Sequence, residues 1–168
     1  MVLETERLAL RHLCAGDAAF ILELVTDPDW LRFIGDRGMR TAEDACGYIE
    51  RGPMKLYERL GFGLYRVALK DGTPLGMCGL IKRDSLEDVD IGFAFLPAFR
   101  GRGYANEAAS AVRDYAFEVL GLERIVAITS PDNEASAKLL ERLGFACERT
   151  IPSVSGGEVS HLYYALNA

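Results

Sequence analysis

The first 28 residues show one strand pattern followed by one helical pattern. Leu8 and Leu10 lie at alternate positions between Arg7 and Arg11, which predicts a strand with one buried face in the first dozen residues. Apolar residues then recur at helical spacing over residues 20–25. This predicted helix ends near residue 27, because the residue before Pro28 is pushed out of the helical conformation.

A further helical segment is predicted over residues 41–60. Thr41 is a good N-cap residue, and Glu43 and Asp44 place negative charge in the first turn. Gly52-Pro53 lies inside the segment and predicts a kink or a break there. Residues 29–40 show no regular period, so the sequence predicts an irregular connection between the two helical regions.

From residue 61 onward the pattern has the period of β-strands. Strands are predicted over residues 63–70, 74–82 and 89–96, and the dipeptide Asp71-Gly72 is typical of a tight hairpin turn between the first two. The sequence therefore predicts a three-stranded antiparallel unit in the middle of the chain.

The last third of the chain alternates between helices and strands. It predicts a helix over residues 105–120, a strand over 124–129, a helix over 134–143 and two final strands on either side of Ser155-Gly156-Gly157. No repeat or linker interrupts the pattern, so we predict one mixed α/β domain over residues 1–168. The stripe expected to be buried on the first of these helices is Ala105, Ala108, Ala109, Val112, Ala116, Val119 and Leu120.

Composition narrows the classes of function. The chain has 168 residues and a net charge of −6, which argues against general nucleic-acid binding. It holds no apolar run of membrane-spanning length and begins unlike a signal peptide, so we expect a cytoplasmic protein that does not bind membranes. The four cysteines are scattered without a C-x-x-C pair, which predicts free thiols and no metal site.

The most informative segment is F-L-P-A-F-R-G-R-G-Y-A-N, from Phe95 to Asn106. It connects a predicted strand to a predicted helix. Gly101 and Gly103 allow successive backbone N–H groups to converge, and the helix that follows adds its own free N–H groups and its dipole. Arg100 and Arg102 add permanent positive charge. The segment predicts a site for a phosphate or pyrophosphate.

Two common phosphate-binding motifs do not match this segment. A Walker loop needs Gly-Lys-Ser/Thr at the start of the helix, where this chain has Gly103-Tyr104-Ala105. A dinucleotide fingerprint needs a third glycine, where this chain has Asn106. It also needs an acidic residue that ends a second strand about 20 positions on, and this chain has no such strand end there. A nucleotide-dependent oxidoreductase is therefore disfavoured.

The same segment fits a different pattern in full. Residues 100–105 read R-x-x-G-x-A, and N-E-A-S at 133–136 and E-R-L-G-F at 141–145 follow at the expected spacing. The chain resembles the GNAT superfamily of acetyl-CoA-dependent N-acetyltransferases. Its opening L-E-T-E-R-L-A-L-R and the N-x-x-S element resemble the RimJ/RimL-like branch, which acetylates ribosomal-protein N-termini.

This resemblance implies a fold and a cofactor. The fold is a mixed, mostly antiparallel twisted sheet of about six or seven strands flanked by about four helices. The cofactor is acetyl-CoA, whose pyrophosphate contacts the backbone of the glycine-rich loop and whose pantetheine arm contacts the backbone at Phe95 and Leu96. The residues implied to bind it are Phe95, Leu96, Arg100, Gly101, Arg102, Gly103, Tyr104, Ala105 and Asn133.

At one catalytic position this chain matches the family, and at another it differs. Ser136 matches the residue proposed in the RimL-like branch to donate a hydrogen bond to the departing thiolate. Many GNAT enzymes carry a tyrosine as general acid where this chain has Leu140. A thiol of pKa about 8.5 leaves readily without protonation, so the absence of that tyrosine need not abolish turnover. Asn133 is implied to bind the cofactor and is also a good N-cap residue, and these two roles can coexist.

A base is needed because an ammonium group is not a nucleophile. Asp90, in the sequence D-V-D-I-G-F where related enzymes often have E-I-G-Y, is our candidate, acting through a water molecule. Neither His12 nor His161 falls in a motif, so a structural role is expected for both, and His161, on the last predicted strand near Tyr163, is the alternative base. Trp30 and Phe33 are expected to shape the pocket for the acceptor.

The predicted activity is acetyl transfer from acetyl-CoA to a primary amine by direct attack in a ternary complex. The acceptor is a protein N-terminus or a small-molecule amine, and the protein is a monomer or a homodimer. The alternative is a non-catalytic CoA-binding or regulatory module, which the leucine at position 140 favours.

Overall fold

The computed structural model describes residues 1–154 and 160–168, and in this part of the chain eight strands form one sheet. The strand order is β1-β2-β3-β4-β5-β6-β8-β7, and neighbours are antiparallel except β5 and β6. The strands are β1 (Leu3–Glu4), β2 (Leu8–His12), β3 (Leu64–Leu69), β4 (Pro74–Ile81), β5 (Val89–Phe95), β6 (Arg124–Thr129), β7 (Ala146–Ile151) and β8 (His161–Asn167).

Six α-helices accompany this sheet in the described residues, together with two short 3-10 turns, Ala15–Asp17 and Pro97–Phe99. The predicted fold class is confirmed, but the predicted counts of strands and helices are too low. The helices are α1 (Ala18–Val25), α2 (Pro28–Phe33), α3 (Ala42–Arg51), α4 (Pro53–Leu60), α5 (Tyr104–Glu118) and α6 (Glu134–Arg142).

The extra elements come from short or interrupted segments. The first predicted strand is two strands, β1 and β2, which pair through Leu3 with Leu10 and Glu4 with Ala9. The predicted helix over residues 41–60 is two helices, because Gly52 ends α3 and Pro53 begins α4 as a first-turn proline. The break predicted at this dipeptide is therefore confirmed.

Helix α2 corrects the prediction that residues 29–40 are irregular throughout. The side chain of Asp27 caps this helix by accepting hydrogen bonds from the backbone N–H groups of Asp29 and Trp30, and Pro28 occupies its first position. A helix of six residues is too short to establish a helical period in the sequence, so only its capping residues could have indicated it.

The central hairpin and the long helix follow the sequence closely. β3 and β4 pair around Asp71-Gly72, and Gly72 has a φ of +92°. On α5 the side chains of Ala108, Ala109, Val112 and Ala116 are buried under the sheet. Val119 is 67% exposed, contrary to the predicted stripe, because α5 ends at Glu118.

The parallel pair β5–β6 is the feature of the sheet that positions the site. Only two residue pairs connect these strands, Val89 with Ile125 and Asp90 with Val126. Beyond Asp90 the strands are no longer paired, although each continues to its own end at Phe95 or Thr129. A cleft therefore opens in the middle of the sheet between the carboxyl-terminal halves of the two strands.

Other predictions about the chain have simple outcomes. All four cysteines are free thiols, as predicted, and Cys78 is buried in β4. The predicted turn Ser155-Gly156-Gly157 lies outside the described residues. In the described residues, no helix combines the length and the apolar character needed to cross a membrane.

Candidate active site

The cleft between β5 and β6 continues into a cavity of about 1170 Å³. β5 supplies one wall from Asp90 to Phe95, and β6 supplies the opposite wall from Ala127 to Thr129. Helix α6 and the segment around α2 complete the lining. The cavity has two ends, which we name the nest end and the Asp90 end.

The nest end is formed by residues 100–106. Gly101 and Gly103 have φ values of +71° and +81°, the left-handed region that favours glycine. Gly103 is the N-cap of α5, and the first helical hydrogen bond runs from the N–H of Glu107 to the carbonyl of Gly103. The N–H groups of residues 104–106 precede that bond and have no partner within the helix.

The nest therefore fits an anionic group. A Cβ atom added at Gly101 would meet no other atom within 4 Å, so the loop is uncovered at this residue. Residues 101 and 103–106 all line the cavity. Converging N–H groups at a helix N-terminus favour phosphate oxygens.

Arg7 holds the nest from outside, which the sequence did not indicate. Its Nη1 donates to the carbonyl of Arg102 at 3.0 Å, and its guanidinium lies 4.5 Å from the ring centroid of Tyr104. Glu107 accepts hydrogen bonds from the backbone N–H of Arg7 at 2.9 Å, from its Nε at 2.6 Å and from the hydroxyl of Thr5 at 2.5 Å. We call this group the Arg7 clasp.

The structure gives the two arginines of the loop, Arg100 and Arg102, different surroundings from those that the sequence predicted. Arg100 forms ion pairs with Asp27, at 2.7 Å, and with Asp29, and its Nε donates to the carbonyl of Phe95 at 2.9 Å. Its charge is thus neutralised by the N-terminal end of α2, although Arg100 lines the cavity. Arg102 is exposed and is not a lining residue.

The end of β5 offers one residue, rather than two, to the cleft. The N–H of Leu96 donates to the carbonyl of Leu75 at 2.8 Å, on the β4 side, and Leu96 is not a lining residue. Backbone groups of successive residues in a strand point to opposite edges, so the N–H of Phe95 points toward the cleft. The N–H of Leu96 is therefore already bonded within the sheet, and a contact of the Leu96 backbone with the cofactor stays a prediction.

The Asp90 end contains a buried carboxylate. Asp90 is 1% exposed, and its Oδ2 accepts from the Nε of Arg83 at 2.6 Å. Burial raises the pKa of Asp90 to about 6, and the ion pair with Arg83 opposes that rise. A carboxylate with this pKa is mostly ionised at neutral pH and is a stronger base than an exposed one.

His161 lies in the same end of the cavity. It begins β8 and lines the cavity together with Asp90 and Arg83. Burial lowers the pKa of His161, and the positive charge of Arg83 acts in the same direction. His12 is elsewhere, stacked on Tyr57 at 3.9 Å between ring centroids, in agreement with a structural role.

The predicted residues on α6 line the middle of the cavity. Asn133 is the N-cap of α6, and its Oδ1 accepts from the N–H of Ser136 at 3.2 Å. The capping role of Asn133 is therefore present. Ser136 is half-buried and lines the cavity, as does the buried side chain of Leu140.

Trp30 and Phe33 of α2 also line the cavity, and Trp30 is 6% exposed. Two lining residues near them, Arg37 and Tyr48, had no signal in the sequence because neither belongs to a motif. Burial raises the pKa of Tyr48, and the charges of Arg37 and Arg83 oppose that rise. Tyr48 therefore lies near Arg37 and Arg83, at the Asp90 end.

The two ends are separated along β5. Asp90 and Phe95 are five residues apart, or about 16 Å at roughly 3.3 Å per residue. Among the residues that the structure describes, no group of three or more His, Cys, Asp or Glu side chains could hold a metal ion. The cavity thus connects the glycine-rich loop to a buried carboxylate along an open strand edge.

Comparisons with known proteins agree with this geometry. The family model described as an acetyltransferase (GNAT) domain matches residues 7–146. YoaA of Bacillus subtilis, an uncharacterized N-acetyltransferase, is 34% identical over 88% of this chain and 84% of its own length. An acetyltransferase structure from Agrobacterium tumefaciens has a TM-score of 0.84 at 29% identity, and covers 99% of this chain and 94% of its own.

A ribosomal-protein acetyltransferase, RimL, solved in complex with coenzyme A, has a TM-score of 0.84 over 99% of this chain and 97% of its own. Its sequence identity is 17%, so this likeness concerns the fold. Fold and site together define an acyl-transferring enzyme. The chain belongs to the GNAT acetyltransferase family, as the sequence predicted, and is an acetyltransferase.

Proposed function

We propose that this protein transfers an acetyl group from acetyl-CoA to a primary amine by direct attack in a ternary complex. The observation that carries the proposal is the cleft between β5 and β6, which joins the nest to Asp90 within one cavity. GNAT acetyltransferases use acetyl-CoA, and the geometry of the nest fits the pyrophosphate of that cofactor.

The cofactor is held mainly by backbone groups. The pyrophosphate lies on the N–H groups of Gly101 and residues 103–106, and the N–H of Phe95 faces the pantetheine arm. Asn133 and Ser136 lie on the opposite side of the cleft. Arg100 supports the loop through its ion pairs with α2, and Arg102 contributes long-range positive charge.

Asp90 removes the proton from the acceptor ammonium through a water molecule. The amine nitrogen then attacks the thioester carbon, and the oxyanion that forms lies near the cleft-facing edge of β5, where N–H groups can stabilise it. An α-amine, of pKa roughly 7.7–8.0, needs less help than a lysine amine near 10.4. The base therefore matters most for the more basic acceptors.

The oxyanion then collapses to the amide carbonyl, the carbon–sulfur bond breaks and the thiolate of CoA departs, while the nitrogen that attacked gives up its second proton to the thiolate. Ser136 donates a hydrogen bond to this sulfur and helps it to accept a proton. Leu140 stands where many relatives have a tyrosine and cannot donate a proton. The low pKa of a thiol, about 8.5, makes this step the easier half of the reaction.

The names of two relatives support the class of acceptor that we propose. RimL is named for a ribosomal protein, and a spermidine N(1)-acetyltransferase of Escherichia coli is 27% identical over 56% of this chain. We propose a protein N-terminus or a small-molecule amine as the acceptor, with Trp30 and Phe33 as pocket walls.

Two measurements test the proposed function. CoA at about a hundredfold over its Kd should stabilise the fold by about 2.7 kcal/mol, and raise Tm by several degrees. A panel of amines with acetyl-CoA should release free CoA and yield acetylated product. A Tm shift with NAD or ATP and none with millimolar CoA would overturn the assignment of the cofactor.

A non-catalytic CoA-binding module is the second candidate, and Leu140 is the observation in its favour. Single-turnover acetyl transfer to the amine panel separates the two candidates. A module of this kind would bind CoA and show no transfer above the uncatalysed rate with any amine.

A further inference from the structure

The carboxylates of the cavity are already paired. In residues 1–154 and 160–168, every lining carboxylate has a cationic partner within ion-pair distance: Asp27 and Asp29 with Arg100, Asp90 with Arg83, and Glu134 with Lys138. Asp27 and Asp29 share the single charge of Arg100 beside the nest, so a second ammonium group on an acceptor would meet no carboxylate without a cationic partner at the Asp90 end.

One arginine of the Asp90 end has no such partner. Arg37 lines the cavity, and no acidic side chain in the described part of the chain lies within ion-pair distance of it. Its neighbour Asp36 is committed elsewhere, since its carboxylate pairs with Arg40 at 2.5 Å and accepts from the N–H of Gly38 at 2.8 Å.

The backbone around Arg37 supports this arrangement. Gly35 and Gly38 have φ values of +110° and +74°, which turn the chain on both sides of Arg37. The apolar wall formed by Trp30 and Phe33 lies in the same cavity. A guanidinium beside an apolar wall binds carboxylates well, because it presents several donors and is weakly hydrated.

We propose that the acceptor is a small amine that also carries a carboxylate, with its amine at Asp90 and its carboxylate at Arg37. This inference rests on the proposed acetyl transfer and names its substrate class. Arg83 neutralises Asp90, so the unpaired charge that the described residues place at the Asp90 end is that of Arg37; the other lining arginine without an ion pair, Arg142, is at the end of α6. A polyamine would be repelled by this charge.

The test uses three amines of equal chain length: 4-aminobutyrate, butylamine and 1,4-diaminobutane. We expect kcat/KM for 4-aminobutyrate to exceed that for butylamine by about tenfold or more, the value of a charge-assisted hydrogen bond. The diamine should be the poorest acceptor. Higher kcat/KM for the diamine than for 4-aminobutyrate would overturn the inference and leave acetyl transfer intact.

Variants assign the effect to the side chain. Arg37→Gln should remove the preference, so that kcat/KM for 4-aminobutyrate falls to about the value for butylamine in the same variant, and Arg37→Lys should restore part of the preference. Arg40→Gln is the matched control, because Arg40 is exposed, paired with Asp36 and not a lining residue. An unchanged preference in Arg37→Gln would overturn the assignment. Loss of turnover with every amine in the unmodified enzyme would instead contradict the proposed function.

Discussion

The nest end and the Asp90 end of the cavity are formed by different parts of the residues, backbone groups at the first and side chains at the second. The nest uses backbone N–H groups of Gly101 and residues 103–106, which lie within one short segment of the chain, and two left-handed glycines set its shape. The Asp90 end uses side chains from β5, β8, α3 and the segments after α2 and β4. A site made from consecutive backbone groups is visible in the sequence, whereas one assembled by topology is visible only after folding.

This contrast predicts different sensitivities to mutation, and Gly103→Val should have the largest effect. The new side chain would adopt an unfavourable φ of +81°, and its Cβ would lie 3.3 Å from Nη2 of Arg7. CoA binding should fall below detection in calorimetry while circular dichroism shows a folded protein. Gly72→Val controls for backbone strain alone, because Gly72 has a φ of +92° in a distant hairpin turn with open space around it. Unchanged affinity in Gly103→Val would place the phosphate site elsewhere.

Asp90→Asn should have the second largest effect, confined to the Asp90 end. We expect kcat/KM for the amine acceptor to fall by about a hundredfold or more at neutral pH, with CoA affinity nearly unchanged. The loss should shrink as pH rises, because free amine then forms without a base. Asp88→Asn is the matched control, since Asp88 pairs with Arg124 and does not line the cavity. Near-full activity in Asp90→Asn together with a loss in His161→Ala would move the base to β8.

Arg83→Gln should change the pH profile more than the rate at its optimum. Arg83 lowers the pKa of Asp90, while burial raises it to about 6. Without Arg83 the pKa rises further, so the basic form of Asp90 appears only at higher pH. The acidic limb of kcat/KM should therefore move to higher pH, and Arg83→Lys should largely restore it. A limb that does not move in Arg83→Gln would mean that another group controls the rate.

Ser136→Ala should have the smallest effect, a loss in kcat below about tenfold, because a thiolate leaves easily. Ser110→Ala, on α5 and away from the cavity, is the control. If Ser136→Ala lost as much activity as Asp90→Asn, thiolate departure would be the difficult step. Helix α6 would then be a third functional region of the cavity, as important for the rate as the Asp90 end.

The sequence was informative wherever neighbouring residues carried the signal. The loop of residues 100–106, the N-cap Asn133 and the hairpin at Asp71-Gly72 were all found in this way, because capping and turn chemistry act over a few residues. The position of Asp90 on its strand also indicates it as a candidate base, although its burial and its partner Arg83 cannot be read from the sequence.

Contacts between distant segments could not be predicted from the pattern. Arg100 was expected to serve the phosphate site, but its partners Asp27 and Asp29 are more than 70 residues away in the sequence. Arg37 and Tyr48 line the cavity together with β5, which begins more than 40 residues after Tyr48 in the chain. Charge alone does not reveal such partners, since the chain has many arginines and acidic residues that could pair in other ways.

The Arg7 clasp gives the loop its shape before any ligand arrives. A glycine-rich loop that is free in solution loses much conformational entropy on binding, and affinity falls accordingly. Here the carbonyl of Arg102 and the first turn of α5 are tied to Thr5 and Arg7, about a hundred residues earlier in the chain. Part of that entropy is lost during folding. The affinity for a cofactor therefore depends on the stability of the contacts that Thr5 and Arg7 make with the loop and with α5.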